Sequence, residues 1–394
     1  MFSSKRLLIL AAVLSVFITQ KSNADDFPNF IVLPDYVSTP DGMAVCPESG
    51  DLIVACPNFG DISQPGCVVR ITQAGEVSKW FDVPVLEETG VAHPMGIDLA
   101  PDGTVLICDN QNWPTGNGED GELNQGRLLR LTIENNEVIE TKVVAEGISH
   151  PNGVKVRDGF AYVTVSCLPK VKYADYCRET NQEANSSDLL LSAVYKFPID
   201  SETIKASNTM ADENIYAIFP TFNKDCQYGA DGIVFDKDGQ LYVGNFGDGT
   251  ILKVVENKEK SAPFPASVVP FAQCEPIPPL YREDGSLDED FLDKATKVAM
   301  RTVDGTCYDP DAEMFYVADF SNNAVAQVDS TGQNISFFAQ SPDNDGLDGQ
   351  LNQPGEPCLW NGRLAVTCFD MVCDPDKVNT KHDDKATIVF LPVK

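Results

Sequence analysis

Asp41-Gly42-Met43, Met95-Gly96-Ile97, Asn152-Gly153-Val154, Asp231-Gly232-Ile233 and Asp304-Gly305-Thr306 are five copies of one short phrase. Each opens an apolar run. After a turn a second run follows: Leu52-Ile53-Val54, Val105-Leu106-Ile107, Tyr162-Val163-Thr164, Leu241-Tyr242-Val243 and Phe315-Tyr316-Val317. The turns are Pro47-Glu48-Ser49-Gly50, Pro101-Asp102-Gly103, Arg157-Asp158-Gly159, Lys237-Asp238-Gly239 and Pro310-Asp311-Ala312. Asp-Gly between apolar runs signals a hairpin, because glycine accepts the positive φ that tight turns demand. A sixth turn, Asn361-Gly362, precedes Leu364-Ala365-Val366-Thr367 and marks a sixth unit. A strand repeat recurring every fifty to eighty residues predicts a radial array of blades.

A third strand is equally recurrent, from Cys67-Val68-Val69-Arg70-Ile71 in the first unit to Thr387-Ile388-Val389-Phe390-Leu391 in the last. Five of the six copies carry a polar residue at the same offset (Arg70, Arg130, Lys196, Lys253, Gln327), as expected of strands with one wet face. The last unit stops at its third strand, while Phe30-Ile31-Val32-Leu33 has no unit of its own. The expectation is an all-β, six-bladed propeller closed by that N-terminal strand, which leaves no open sheet edge. Residues 25–394 then form one domain, with polar insertions at 167–190 and 275–301. The second insertion contains Ser286-Leu287-Asp288-Glu289-Asp290, the start of a capped short helix. Such insertions either line a ligand site or decorate the surface.

Residues 1–24 read as a secretory signal: Lys5 and Arg6, the apolar Leu7–Ile18, then Ser22-Asn23-Ala24 for cleavage. The apolar run is too short to span a bilayer, so a secreted or periplasmic product is expected. The net charge is −30, and cleavage removes Lys5, Arg6 and Lys21 without removing an acid. Nucleic acid and anionic membranes are poor partners for such a surface; a small-molecule substrate and a monomer are expected. Twelve cysteines in an exported chain favour disulfides. Cys167 with Cys177, and Cys226 with Cys274, are the plausible local pairs. Asn185-Ser186-Ser187 and Asn334-Ile335-Ser336 are glycosylation sequons only in a eukaryotic secretory path.

The first strand of each blade runs along the central channel. Asp41, Asn152, Asp231 and Asp304 open four of them at one level, so their oxygens should converge. Three carboxylates and an amide suit one hard divalent cation, calcium above all, which would also neutralise their mutual repulsion. Alternatively, Asp-Gly and Asn-Gly merely shape the start of the strand. Met95 breaks the series. His93 and His150 each lie two residues before a column position and either shuttle a proton or position the proline that follows.

Pro151-Asn152-Gly153, Gly229-Ala230-Asp231-Gly232 and Tyr316-Val317-Ala318-Asp319 resemble the senescence marker protein, gluconolactonase and luciferin-regenerating enzyme family, which has relatives among diisopropyl fluorophosphatases and paraoxonases. The resemblance spans nearly all of the mature chain. It implies a six-bladed propeller with a channel dication and hydrolysis of lactones, esters or organophosphates. It also places metal ligands at Asp41 (where the family has Glu), Asn152 and Asp231. The family's Asn-Asp pair is replaced here by Pro94-Met95, for which Asp304 would compensate. Val234 stands where some relatives carry an acid for a second ion, so one cation is expected. Asp231 or Asp304 is then the general base or nucleophile, and His150 and His93 are proton shuttles. No organic cofactor is expected. Two other readings stay open: a non-catalytic propeller that binds partners around a structural calcium, and a quinoprotein sugar dehydrogenase, which the acidic mouth disfavours.

Overall fold

The computed structural model describes residues 27–61, 63–111, 124–183, 188–259, 261–275, 277, 280–370, 377–381 and 385–393. The signal segment and the Asn185 sequon lie outside them. Six antiparallel sheets of at least four strands form the blades. In blade one these are Met43–Val45, Leu52–Cys56, Cys67–Ile71 and Val77–Asp82; in blade four, Ala230–Phe235, Leu241–Asn245, Thr250–Glu256 and Ala266–Gln273. Asp158 and Gly159, and likewise Asn361 and Gly362, both have positive φ, the backbone of a tight hairpin turn.

Blade six holds Pro354–Trp360, Arg363–Cys368 and Thr387–Pro392, and its fourth strand is Phe30–Val32, as the sequence predicts. Phe30 faces Val389 and Val32 faces Thr387, and Leu33 N–H donates to Ala386 O at 2.9 Å. Phe27 packs edge-on against Phe390 and Trp360, with centroids 5.0 and 5.5 Å away. The wet-face positions Arg70, Arg130, Lys196, Lys253 and Gln327 are half-buried, whereas Phe390, the exception, is covered by this N-terminal segment.

The recurring glycine has a reason other than turn formation. None of the five has a positive φ. Each instead lets one first strand touch the next around the axis. A Cβ on Gly42 would stand 2.6 Å from Met95 O, on Gly96 2.6 Å from Asn152 O, and on Gly153 2.8 Å from Asp231 O. On Gly232 it would stand 2.5 Å from Asp304 O, and on Gly305 2.6 Å from Gly355 O. All five obstacles are backbone, which cannot swing aside. Gly96→Ala, whose blade contributes no oxygen to the column, should therefore destabilise the chain by at least about 1–3 kcal/mol, read as a lower denaturant midpoint. An unchanged midpoint would mean that the ring can expand at no cost.

Three features differ from expectation. Insertion 167–190 contains a helix, Tyr173–Glu179, and Ile204–Lys205 crosses to pair in parallel with the outer strand of blade two. The second insertion carries the anticipated helix, Glu289–Ala295, capped by the Asp288 side chain accepting from Asp290 N–H. The expected cysteine pairs are not formed: no disulfide joins any described cysteines. Cys177 lies on the buried face of the first helix, beside Tyr173 one turn away, and is not joined to Cys167. Cys226 and Cys274 line one pocket without a bond between them.

Candidate functional site

The first strands bring Asp41, Asn152, Asp231 and Asp304 to the axis, each less than a tenth exposed. Backbone bonds to the second strand fix each position: Asp41 N–H donates to Ala55 O at 2.8 Å and Asp304 N–H to Ala318 O at 3.0 Å. The Thr164 hydroxyl donates to Asp231 O at 2.6 Å and accepts from Gly153 N–H at 2.7 Å, locking blade three to blade four.

A cavity of about 20 Å³ lies at the axis, lined by Asp41, Asn152, Asp231, Glu356, Lys155 and four of the collar glycines, Gly42, Gly96, Gly153 and Gly232. Glu356 and Lys155 escaped the sequence reading. Glu356 enters from blade six, its carboxylate against the bare Cα of Gly305. Lys155 bonds Asp98 at 3.3 Å. Burial works against its ammonium, but Asp98 and Glu356 hold its proton more firmly than usual.

Electrostatics at the axis are dominated by desolvation. Burial pushes the Asp41 carboxyl up to about 7. Asp231 is raised well above the ordinary carboxylate range by burial and by Asp41; Asp304 by burial and by Asp231, Asp41 and Glu356. The Asp231 and Asp304 carboxyls lie close enough that each acts on the other's proton affinity. The Asn152 amide, which favours the ionised Asp231 carboxyl, donates to Tyr228 OH at 3.1 Å and Ser166 Oγ at 3.4 Å.

Among the described residues no three Asp, Glu, His or Cys side chains are arranged, as they stand, to hold a metal ion. The donor set nevertheless fits a hard cation. It offers three carboxyls (Asp41, Asp231, Glu356) and an amide around space for roughly one water-sized ion, with Asp304 beside Asp231. The buried Thr306 hydroxyl, on the Asp304 strand, has no hydrogen-bond partner. Closing Asp41, Asn152, Asp231, Asp304 and Glu356 on an ion would exchange mutual repulsion for coordination.

Both insertions join strands at the end of the propeller where the column opens, as do the short loops after each second strand. Aromatic rings from three of those short loops and from the connection into blade four form a continuous wall: Tyr228 to Phe246 at 5.5 Å, Phe246 to Phe320 at 6.3 Å, Phe320 to Phe369 at 5.7 Å. Met95 is not part of that wall; it is buried in an apolar cluster with Cys108 and Val154. His93 sits at the rim, its ring 5.1 Å from Phe59 and its Nδ1 3.1 Å from Asn110 O. His150 adopts a left-handed φ of 43° just before Pro151, with Nδ1 3.0 Å from Ser149 Oγ. Burial lowers the basicity of both imidazoles, that of His150 to about 4, so both are neutral near pH 7.

The fold and axis define a six-bladed propeller with an acidic channel. The chain matches no protein-family model, and no curated protein matches it. Solved structures with a similar fold include a PQQ-bound aldose sugar dehydrogenase from Streptomyces coelicolor, 14% identical over 93% of this chain and 98% of that one, with a TM-score of 0.52. A luciferin-regenerating enzyme is 11% identical over 91% and 94% of the two chains, with a TM-score of 0.50. A calcium-binding protein, regucalcin, from Agrobacterium tumefaciens is 13% identical over 93% and 96%, with a TM-score of 0.48. At these identities the likeness is one of fold.

Proposed function

We propose that this chain is an exported, calcium-dependent hydrolase of a lactone, ester or organophosphate-like substrate, acting as a monomer outside the cytoplasm. The observation that carries the reading is the set of buried carboxyls from blades one, four and six, gathered with the Asn152 amide around one axial cavity, with Asp304 of blade five close enough to act on them. The sequence resemblance to the lactonase family supports the same assignment. A bound dication supplies the charge that polarises a carbonyl or phosphoryl oxygen.

The chain's own groups supply the remainder. Asp231 or Asp304, ionised, accepts a proton from water or attacks the substrate directly. Asn152, fixed by Tyr228 and Ser166, orients Asp231. His93 and His150, neutral at the rim, relay the proton outward. The Tyr228–Phe246–Phe320–Phe369 wall excludes water from one side and suits an apolar acyl or aryl group.

A second reading, a binding propeller with a structural cation, is favoured by Met95, which puts a thioether where blade two would otherwise supply an oxygen. An anionic quinone fits less well, since Lys155 is outnumbered by carboxyls at the axis. The discriminating experiment is turnover of aryl esters and lactones before and after chelation. The hydrolase reading expects activity that chelation abolishes and calcium restores. Turnover indifferent to the chelator would reject the calcium dependence; calcium-dependent stability without turnover would favour the binding propeller.

A further inference from the structure

Cys56 closes the second strand of blade one, Cys67 opens the third, and the register sets them directly opposite one another. Opposed residues in an antiparallel pair have Cα atoms about 4.5 or 5.5 Å apart, depending on their place in the ladder. A disulfide spans Cα separations of roughly 4.4–6.8 Å, so either place suffices. Both side chains are wholly buried, and each thiol acts on the other's proton affinity, as close neighbours do. The loop between them is held independently. Asn58 donates to Tyr36 O at 3.1 Å and Pro65 O at 3.0 Å, and it accepts from Ser38 N–H at 3.0 Å. Among the described residues no other two cysteines are opposed: Cys108 faces Leu128, Cys307 faces Tyr316, Cys358 faces Ala365 and Cys368 faces Thr387.

We propose that Cys56 and Cys67 are joined by a disulfide in the mature protein, made while blade one folds and then enclosed by it. One thiolate attacks a disulfide of a thiol-exchange oxidant and expels one oxidant thiol. The opposed thiolate then attacks the resulting mixed disulfide and expels the second. The chain loses two protons and two electrons, one S–S bond forms in it, and the oxidant's disulfide becomes two thiols. The backbone already has the required separation, so the step needs only side-chain rotation. Burial makes the order matter, since neither oxidant nor reductant reaches the pair once the blade is packed. The bond also bears on the axis. Ala55, next to Cys56, accepts from Asp41 N–H at 2.8 Å and donates to Gly42 O at 2.9 Å. Tying Cys56 to the third strand thus stiffens the support of the first column residue.

The test uses the full chain, refolded from denaturant in a glutathione redox buffer or in a phosphine reductant, then alkylated under denaturing conditions and mapped without reduction. The oxidised sample should yield a peptide joining Cys56 to Cys67 that disappears on reduction, and reductant added to the folded protein should leave that peptide intact. The protein refolded in reductant should melt about 4 °C lower, a difference that Cys56→Ala/Cys67→Ala should abolish. Recovery of both cysteines as alkylated thiols from the oxidised sample, or of either one bridged elsewhere, would overturn the assignment. The mapping needs only the unaltered chain, so it decides the matter even if the double variant does not fold.

Discussion

Asp231→Ala should abolish calcium-dependent turnover and remove most of the rise in melting temperature that calcium gives the unaltered protein. Asp231 lines the axial cavity beside Asn152, and its carboxyl interacts with those of Asp41 and Asp304. Its loss removes a ligand and frees its partners to reorient, so calcium affinity should fall by at least roughly 100-fold. A ligand present at 100 times its Kd stabilises the native state by about 2.7 kcal/mol, and nearly all of that should vanish in the variant at the same calcium concentration. The calcium-free variant should melt no lower than the calcium-free parent, because Asp231 is buried among like charges and its carboxylate is disfavoured there. Asn152→Ala should act in the same direction more weakly, since a neutral oxygen contributes less field. Equal stabilisation of parent and Asp231→Ala by calcium, measured by calorimetry, would remove the ion from the axis and leave the binding propeller as the better reading.

Deletion of residues 27–33 should have the largest effect on the fold itself. Leu33 is 2% exposed, and Phe27 and Ile31 pack against the cluster around Trp360 and Phe390. Re-exposing these side chains costs on the order of 5 kcal/mol, a large share of the roughly 5–15 kcal/mol that holds a typical native state. The deletion also leaves Thr387–Val389 as an uncovered strand edge, which promotes chain-to-chain pairing. The truncated protein should be aggregated or unfolded by light scattering and circular dichroism. A monomeric product melting at the parent's temperature would show that the ring does not depend on its N-terminal strand.

Most of the architecture could be read because hairpin turns have a residue grammar, and Asp-Gly or Asn-Gly recurs where that grammar requires it. The closing strand followed from counting: one unit short of a strand, one strand without a unit. The axis was only partly legible. Pro354-Gly355 repeats the collar glycine in blade six, but the residue before it carries no side-chain oxygen, and the carboxylate arrives from Glu356 on the far side of that glycine. Counting back from Asn361-Gly362 would have found it. Lys155 gave no signal, since a lysine in a strand ordinarily marks the wet face. The cysteine pairs were misjudged because closeness along the chain is a poor guide to opposition across a sheet. Asp319, part of the stretch that carries the family resemblance, turns out not to line the axial cavity. It instead accepts from Arg301 N–H, Thr302 N–H and Asn322 Nδ2, clasping the loop that leads into blade five.

The glycine collar separates two duties that active sites usually mix. Position at the axis is set by main-chain atoms in mutual contact, while charge is set largely by the side chains one residue before each glycine, joined by Glu356 and Lys155, which project from that collar without building it. Asp41, Met95, Asn152, Asp231 and Asp304 are therefore exchangeable parts on a fixed mount. A combinatorial library that varies those five and spares Gly42, Gly96, Gly153, Gly232 and Gly305 would sample different cation charges and substrates within one framework, and a library that varies the glycines would mostly sample misfolded chains.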